Sequence, residues 1–311
     1  MKSFPAKILL FGEYSILEGS MAMAVPYPTY SGHLVFYDTV PDNQVRESGI
    51  QLLKFCTFLK DRIDRFPFLD LDRFEEEINQ GLSFNSNIHQ GYGLGSSGAL
   101  TAAVYERYCT KDPTLPVSDL RSRLASMESY FHGTSSGLDP LVSFTGEPVL
   151  IGKDGKVTLI KGNEWKVLIK ETKAFLADTG TIGKTEGFVN WFKAQMQDIN
   201  YAYTINQRYI PAVNLAIESL MKGHTVTFKK AVNTVSQLQR TLFLPMIPEP
   251  FHPYFEDGVT KKEFFLKLCG SGGGGFMLGF ATEETEGKLM KYEFPKEPIF
   301  LFAEKGSNTN F

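Results

Sequence analysis

The stretch GYGLGSSGAL, residues 91–100, decides how this chain is read. Three glycines alternate with larger residues, two serines follow, and an apolar run begins. A plain turn needs one glycine and one cap, so this segment holds more than a turn requires. Gly93 and Gly95 permit backbone conformations closed to other residues and let the chain approach a ligand closely. The helix expected after them offers unpaired N–H groups, with the positive end of its dipole behind them. Such a place favours phosphate. Ser96 and Ser97 add hydroxyls: one can cap the helix, the other can meet a phosphate oxygen or a metal ion carried by that phosphate. A nucleotide with Mg²⁺ uses all of these features at once. A bare helix start after a tight turn fits the same letters, because short glycine patterns are weak alone.

Two further clusters bear on that choice. In ESYFHGTSSGLDPLVS, residues 128–143, Glu128 adjoins Met127 at the edge of a helical stripe formed by Leu120, Leu124, Met127 and Phe131. That helix is expected from Ser118, as N-cap, to Phe131. A Gly/Ser/Thr-rich loop then delivers Asp139, so two carboxylates can face one site. Phosphoryl transfer needs both, one on Mg²⁺ and one at the attacking hydroxyl. Taken singly, Glu128 also fits a solvated helix position and Asp139 a turn residue before proline. The second cluster, CGSGGGG at 269–275, lies between the apolar segments KKEFFLKL and FMLGF. Flexible linkers seldom sit inside core segments, so this loop is expected to pass close to a ligand or another backbone.

The bulk properties set the frame. With 311 residues and 42% hydrophobic content, the chain can build one large domain or two ordinary ones. The net charge is -3, from 32 Lys+Arg against 35 Asp+Glu, and no basic block stands out, so no nucleic-acid partner is expected. Cys56, Cys109 and Cys269 are far apart and lack metal-ligand spacing, which fits a reducing, cytoplasmic compartment. The first residues lack a signal-peptide pattern, and no run approaches the roughly 18 apolar residues of a membrane span, so no membrane partner is expected. Strands are expected at AKILLF, MAMAVPY and HLVFYD, and helical pattern at 51–58 and 71–78. Leu100, Val104 and Tyr108 mark a helix after the glycine loop, closed by Pro113. A hairpin over 147–160 turns at KDGK, and a strand lies near 173–177. A long helical region follows over 184–240, then an element at KKEFFLKL ending in CGSGGGG, and a strand at FMLGF. A helix at EETEGKLMKYEF and a last strand at PIFLF close the chain. This order reads as α+β, with a boundary near 165–172.

AKILLFGEY, GLGSSGAL, HGTSSGLD and CGSGGGG resemble, in order, the motifs of the GHMP kinases, over residues 6–275. Within that superfamily the pattern is most similar to the mevalonate kinases. The resemblance implies two domains: an N-terminal half over 1–168 like ribosomal protein S5 domain 2, and a ferredoxin-like half over 169–311. ATP and a small alcohol would meet between them. It implies that Gly93, Leu94, Gly95, Ser96 and Ser97 bind ATP, and that Ser97 and Glu128 hold Mg²⁺. Asp139 would be the catalytic aspartate with Lys7 beside it, and Glu13, Tyr14, Thr134, Ser135, Gly272 and Gly273 would contact the acceptor. The implied reaction phosphorylates the terminal hydroxyl of mevalonate. The chain departs from the family where Gly-Glu-His becomes Gly12-Glu13-Tyr14, Pro-Gly-Lys becomes Pro5-Ala6-Lys7, and Asn-Pro-Ser becomes Thr134-Ser135-Ser136. Tyrosine at that place also occurs in phosphomevalonate kinases, so phosphomevalonate and sugar acceptors stay open, as does a homodimer.

Two competitors belong to other classes. DTGTIGKT, residues 178–185, nearly satisfies G-x-x-x-x-G-K-[ST], but Asp178 stands where the first glycine is needed. A nucleotide-binding sensor without catalysis would lack Asp139, Lys7 or Glu128, and all three are present.

Overall fold

Alternation along FPAKILLF turns Phe4, Ala6, Ile8 and Leu10 into the core and makes β1 (Phe4–Phe11). It pairs antiparallel with β2 (Ala22–Phe36), so the two strands expected at MAMAVPY and HLVFYD are one continuous strand. The reason is that β1 pairs with it on both sides of its prolines. Pro28 falls in the register shift between Tyr27↔Ala6 and Ser31↔Pro5, where its missing N–H breaks no ladder bond. Beyond it, residues 32–36 pair with β3 (Leu82–Ser86), while residues 22–24 pair with β4 (Val149–Ile151). The expected hairpin forms from β4 and β5 (Val157–Leu159), closed by Gly152 N–H on the Lys156 carbonyl at 2.9 Å.

The computed structural model describes residues 1–37, 43–110, 112–162, 164–183, 187–281, 289, 292, 294 and 298–301. Helices α1 (Asn43–Lys60) and α2 (Leu71–Asn79) contain the stretches expected at 51–58 and 71–78, and Asp70 caps α2 by accepting from Arg73 N at 3.1 Å. After the glycine loop, α3 (Ser96–Tyr108) is buried almost all round, between the sheet, α4 (Val117–His132) and α5 (Leu138–Thr145). It stops at Tyr108, ahead of Pro113, because Cys109 turns extended and bridges to Leu69. Helix α4 starts earlier than expected: Pro116 is its cap, and its carbonyl accepts from Asp119 N and Leu120 N at 3.0 Å each. Ser118 therefore lies inside the first turn, with its hydroxyl on Asp119.

Helix α6 (Glu164–Glu171) leads into β6 (Phe175–Asp178), the first strand of a second sheet. The long helical region resolves into α7 (Phe188–Gln195), α8 (Ile199–Thr204), α9 (Ile210–Met221) and α10 (Thr225–Leu242), with a π-helical turn at 205–209. Then come α11 (His252–Lys261), β7 (Phe264–Leu268), β8 (Phe276–Ala281) and β9 (Ile299–Phe300). The sheet order is β7-β8-β6-β9, antiparallel throughout, which is a ferredoxin-like arrangement. The fold is α+β, as expected. The helix expected at EETEGKLMKYEF lies outside the described residues apart from Leu289, Tyr292 and Phe294. Among the described residues no helix is long and apolar enough to cross a membrane.

Candidate active site

Three loops meet beside the N-terminal end of α3. The 91–95 loop is tied to β1 by the Lys7 amide, which donates to the Leu94 carbonyl at 2.9 Å. It touches the 269–275 loop so closely that a Cβ on Gly93 would lie 2.1 Å from the Cys269 carbonyl oxygen, at a φ of +76°. The third loop, 178–183, stitches to both: Gly183 N–H donates to Gly91 O at 2.9 Å, and Gly275 N–H to Thr181 O at 2.7 Å. Residues 178–183 of the near-match to a phosphate loop are thus part of this seam. Asp178 accepts from Gly180 N at 2.8 Å there, and Lys184 lies outside the described residues.

These loops form one end of a cleft of about 1160 Å³. Lys7, Gly93, Leu94, Gly95, Ser96, Ser97 and Asp139 all line it. Lys7 Nζ lies 3.0 Å from Asp139 Oδ2, with the lysine buried and the aspartate 31% exposed. Burial, the largest influence, works against a charged lysine, but Asp139, Cys269 and Glu128 together outweigh it, so the Lys7 pKa stands above its ordinary value. Gly95 is the hinge of this pair. Its φ of +72° starts α3, and a Cβ there would meet Lys7 Cε and Cγ at 2.9 Å. The first-turn N–H groups of α3 therefore stand beside an ion pair, in a geometry suited to an anion next to a proton acceptor.

Glu128 is placed deeper than expected. It is buried on α4 and does not line the cleft; its Oε1 accepts from Ser97 Oγ at 3.1 Å, and Ser97 Oγ also lies 3.1 Å from His132 Nε2. Burial and the Asp139 carboxylate push the Glu128 carboxyl up to about 8, against the bonds from Ser135 and Ser97. A buried carboxylate short of positive charge beside a hydroxyl is a hard-oxygen pair suited to Mg²⁺, which takes few protein ligands and fills its shell with phosphate oxygens and water. Among the described residues, no group of three or more His, Cys, Asp or Glu is arranged to hold a metal by itself. The residues present fit an ion that arrives with a nucleotide.

The expected acceptor contacts divide. Glu13, Tyr14 and Gly272 line the cleft; Thr134, Ser135 and Gly273 do not. Ser135 turns away because its hydroxyl donates to Glu128 Oε2 and accepts from Gly137 N, making it a buttress for Glu128. Thr134 is exposed on the same loop, and Gly273 N–H is directed to the Met246 carbonyl at 2.6 Å. Glu13 is buried in an ion pair with Lys267 of β7, also fully buried. Burial raises the Glu13 pKa while Lys267 opposes it, and Glu13 Oε2 has no hydrogen-bond partner. Lys267 and Gln239, whose Oε1 accepts from Leu268 N at 2.7 Å, escaped the sequence reading. A single lysine inside the apolar run FFLKL was the available signal, since buried charges are paired. Cys269 also lines the cleft, with burial pushing its thiol up to about 11.

Residues 65–147 match the family described as GHMP kinases N terminal domain. A mevalonate kinase of Pyrococcus abyssi is 22% identical over 318 residues, which cover 90% of this chain and 88% of that protein. The solved structure of L. major mevalonate kinase in complex with R-mevalonate is similar at a TM-score of 0.63 and 18% identity, covering 97% of this chain and 96% of that one. Phosphomevalonate kinase of Streptococcus pneumoniae is similar at 0.58 and 17%, covering 92% of each chain. The fold is shared over 97% of this chain, and the N-terminal family match spans the glycine loop, Glu128 and Asp139. The chain is thus similar to the GHMP kinases: residues 65–147 match their N-terminal domain, and the curated relatives that align along its length are named mevalonate kinases.

Proposed function

We propose that the protein is a mevalonate kinase, transferring the γ-phosphoryl group of ATP to the terminal hydroxyl of mevalonate to give 5-phosphomevalonate and ADP. The observation that carries this reading is the Lys7–Asp139 pair, 3.0 Å apart, on the cleft wall next to the 91–95 loop. The names and full-length coverage of the relatives favour mevalonate as the acceptor.

In this reading residues 1–168 and 169–311 are the two domains, and the cleft between them takes both substrates. The α3 N-terminus and the glycine loop receive the phosphates through backbone N–H groups. Asp139 orients the acceptor hydroxyl and takes its proton as the oxygen bonds to the γ-phosphorus and the bond to the β-phosphate oxygen breaks. General-base assistance of this kind is typically worth about 10² to 10⁴ in rate. Lys7 supplies positive charge to Asp139 and to the phosphoryl group as charge spreads over its oxygens. Ser97 and Glu128 would hold Mg²⁺, which neutralises phosphate charge when bound. Three unpaired thiols agree with a reducing cytoplasm.

The test is ADP release by purified protein with ATP and Mg²⁺, comparing mevalonate, 5-phosphomevalonate, homoserine and a panel of sugars. Turnover on mevalonate with kcat/KM at least about 100-fold above every other acceptor is expected. Turnover confined to a different acceptor would move the specificity, and no turnover on any would remove the reading.

A further inference from the structure

Glu13 and Tyr14 both line the cleft, yet their polar ends are engaged by the opposite half of the molecule. The Tyr14 hydroxyl donates to the Ser271 carbonyl at 2.5 Å. Its ring is wedged between Phe192 and Phe243, with centroids 5.5 Å away in each case. The backbone of Tyr14 has φ 59° and ψ −43°, a region that aromatic residues rarely adopt and that only a firmly determined surrounding sustains. One residue earlier, Glu13 Oε1 accepts from Lys267 Nζ, and Lys267 sits two positions before Cys269 at the start of the late glycine loop. Gln239 holds the residue between them through Leu268 N. The turn after β1 thus grips the late loop at its root and at its tip.

We propose that Tyr14 is a positioning residue: with the Glu13–Lys267 pair as a second anchor, it pins the 269–275 loop against the 91–95 loop, where Lys7 and Asp139 stand. Its hydroxyl serves the loop and not the acceptor. This also gives a physical role to the tyrosine found where the family pattern has histidine. The inference rests on the kinase reading for its kinetic consequences, and its first readout is independent of any substrate.

Tyr14→Phe keeps the ring and removes one hydrogen bond. In substrate-free protein, amide hydrogen exchange within 270–275 should quicken by about three- to tenfold, the worth of one such bond, with other segments unchanged. In turnover, kcat should fall by about tenfold while the acceptor KM stays within about twofold. Unchanged exchange in 270–275 overturns the proposal. So does a raised acceptor KM with kcat intact, which marks an acceptor ligand. Lys267→Met alone would strand a buried carboxylate, so the second anchor is tested by Glu13→Gln with Lys267→Met, which removes both charges. Faster loop exchange in that double variant is expected, and parent-like exchange removes the second anchor. If another acceptor proves to be the substrate, the kinetic split is read on that acceptor, and the exchange result stands unaltered.

Discussion

Replacing Gly93 by alanine probes whether the two glycine loops must touch for the enzyme to work. The new Cβ would lie 2.1 Å from the Cys269 carbonyl oxygen, whereas ordinary contact begins at 3.4 Å, so the loops must part by about 1.3 Å (3.4 − 2.1). The obstacle is backbone, which cannot swing aside as a side-chain end can. Overpacking of this kind costs about 1–3 kcal/mol, and the left-handed conformation at φ +76° adds about 1–2 kcal/mol for a residue with a Cβ. Gly155→Ala is the control: φ is +73° there and nothing lies within 4 Å, so only the conformational cost of about 1–2 kcal/mol remains. Displacing reacting groups by about 1 Å costs about 100-fold in rate. Gly93→Ala should therefore be less stable than the control by about 1–3 kcal/mol in denaturant unfolding. Its kcat/KM for ATP, followed by ADP release, should fall by about 100-fold. If Gly93→Ala matches Gly155→Ala in stability and stays within about threefold of it in kcat/KM, the loops do not close on each other during turnover.

Asp139→Asn should lower kcat by about 10² to 10⁴ with ATP binding retained, measured by single-turnover transfer; activity within a few-fold of the parent would exclude Asp139 as the proton acceptor. Lys7 has its folded pKa raised above the 10.5 of a free lysine, so it holds its proton more tightly folded than unfolded. The stability from its pair with Asp139 is full below about 10.5 and is lost as pH rises through the higher folded value. The Tm difference between parent and Asp139→Asn should accordingly be flat from about pH 7 to 9.5 and shrink above about 10.5; a constant difference throughout contradicts the pairing. Glu128→Gln should raise the Mg²⁺ concentration for half-maximal activity by about tenfold or more, and an unchanged requirement in a Mg²⁺ titration would place the metal elsewhere.

Local chemistry wrote much of this protein into its letters. The 91–95 loop, the buried stripe of α4, the β4–β5 hairpin and the strand after CGSGGGG follow from periodicity and turn residues, which act over a few positions. The pairing of Lys7 with Asp139 was legible only because the motifs occur in a recognisable order; their separation of 132 residues (139 − 7) gives no local signal. Other features came from tertiary structure alone. Ser135 and Thr134 share a loop with Asp139 but turn away from the cleft, because Ser135 is drawn to the buried Glu128 carboxylate. Lys267 meets Glu13 across 254 positions, and no spacing rule reaches that far. Even β2 is a single strand because β1 pairs with it on both sides of Pro28, and a strand's partners are unknown until the sheet forms. The sequence by itself determined which residue types could bind phosphate and move a proton. The tertiary structure decided which of them face the cleft, because burial and partnering are set by whatever chain packs alongside.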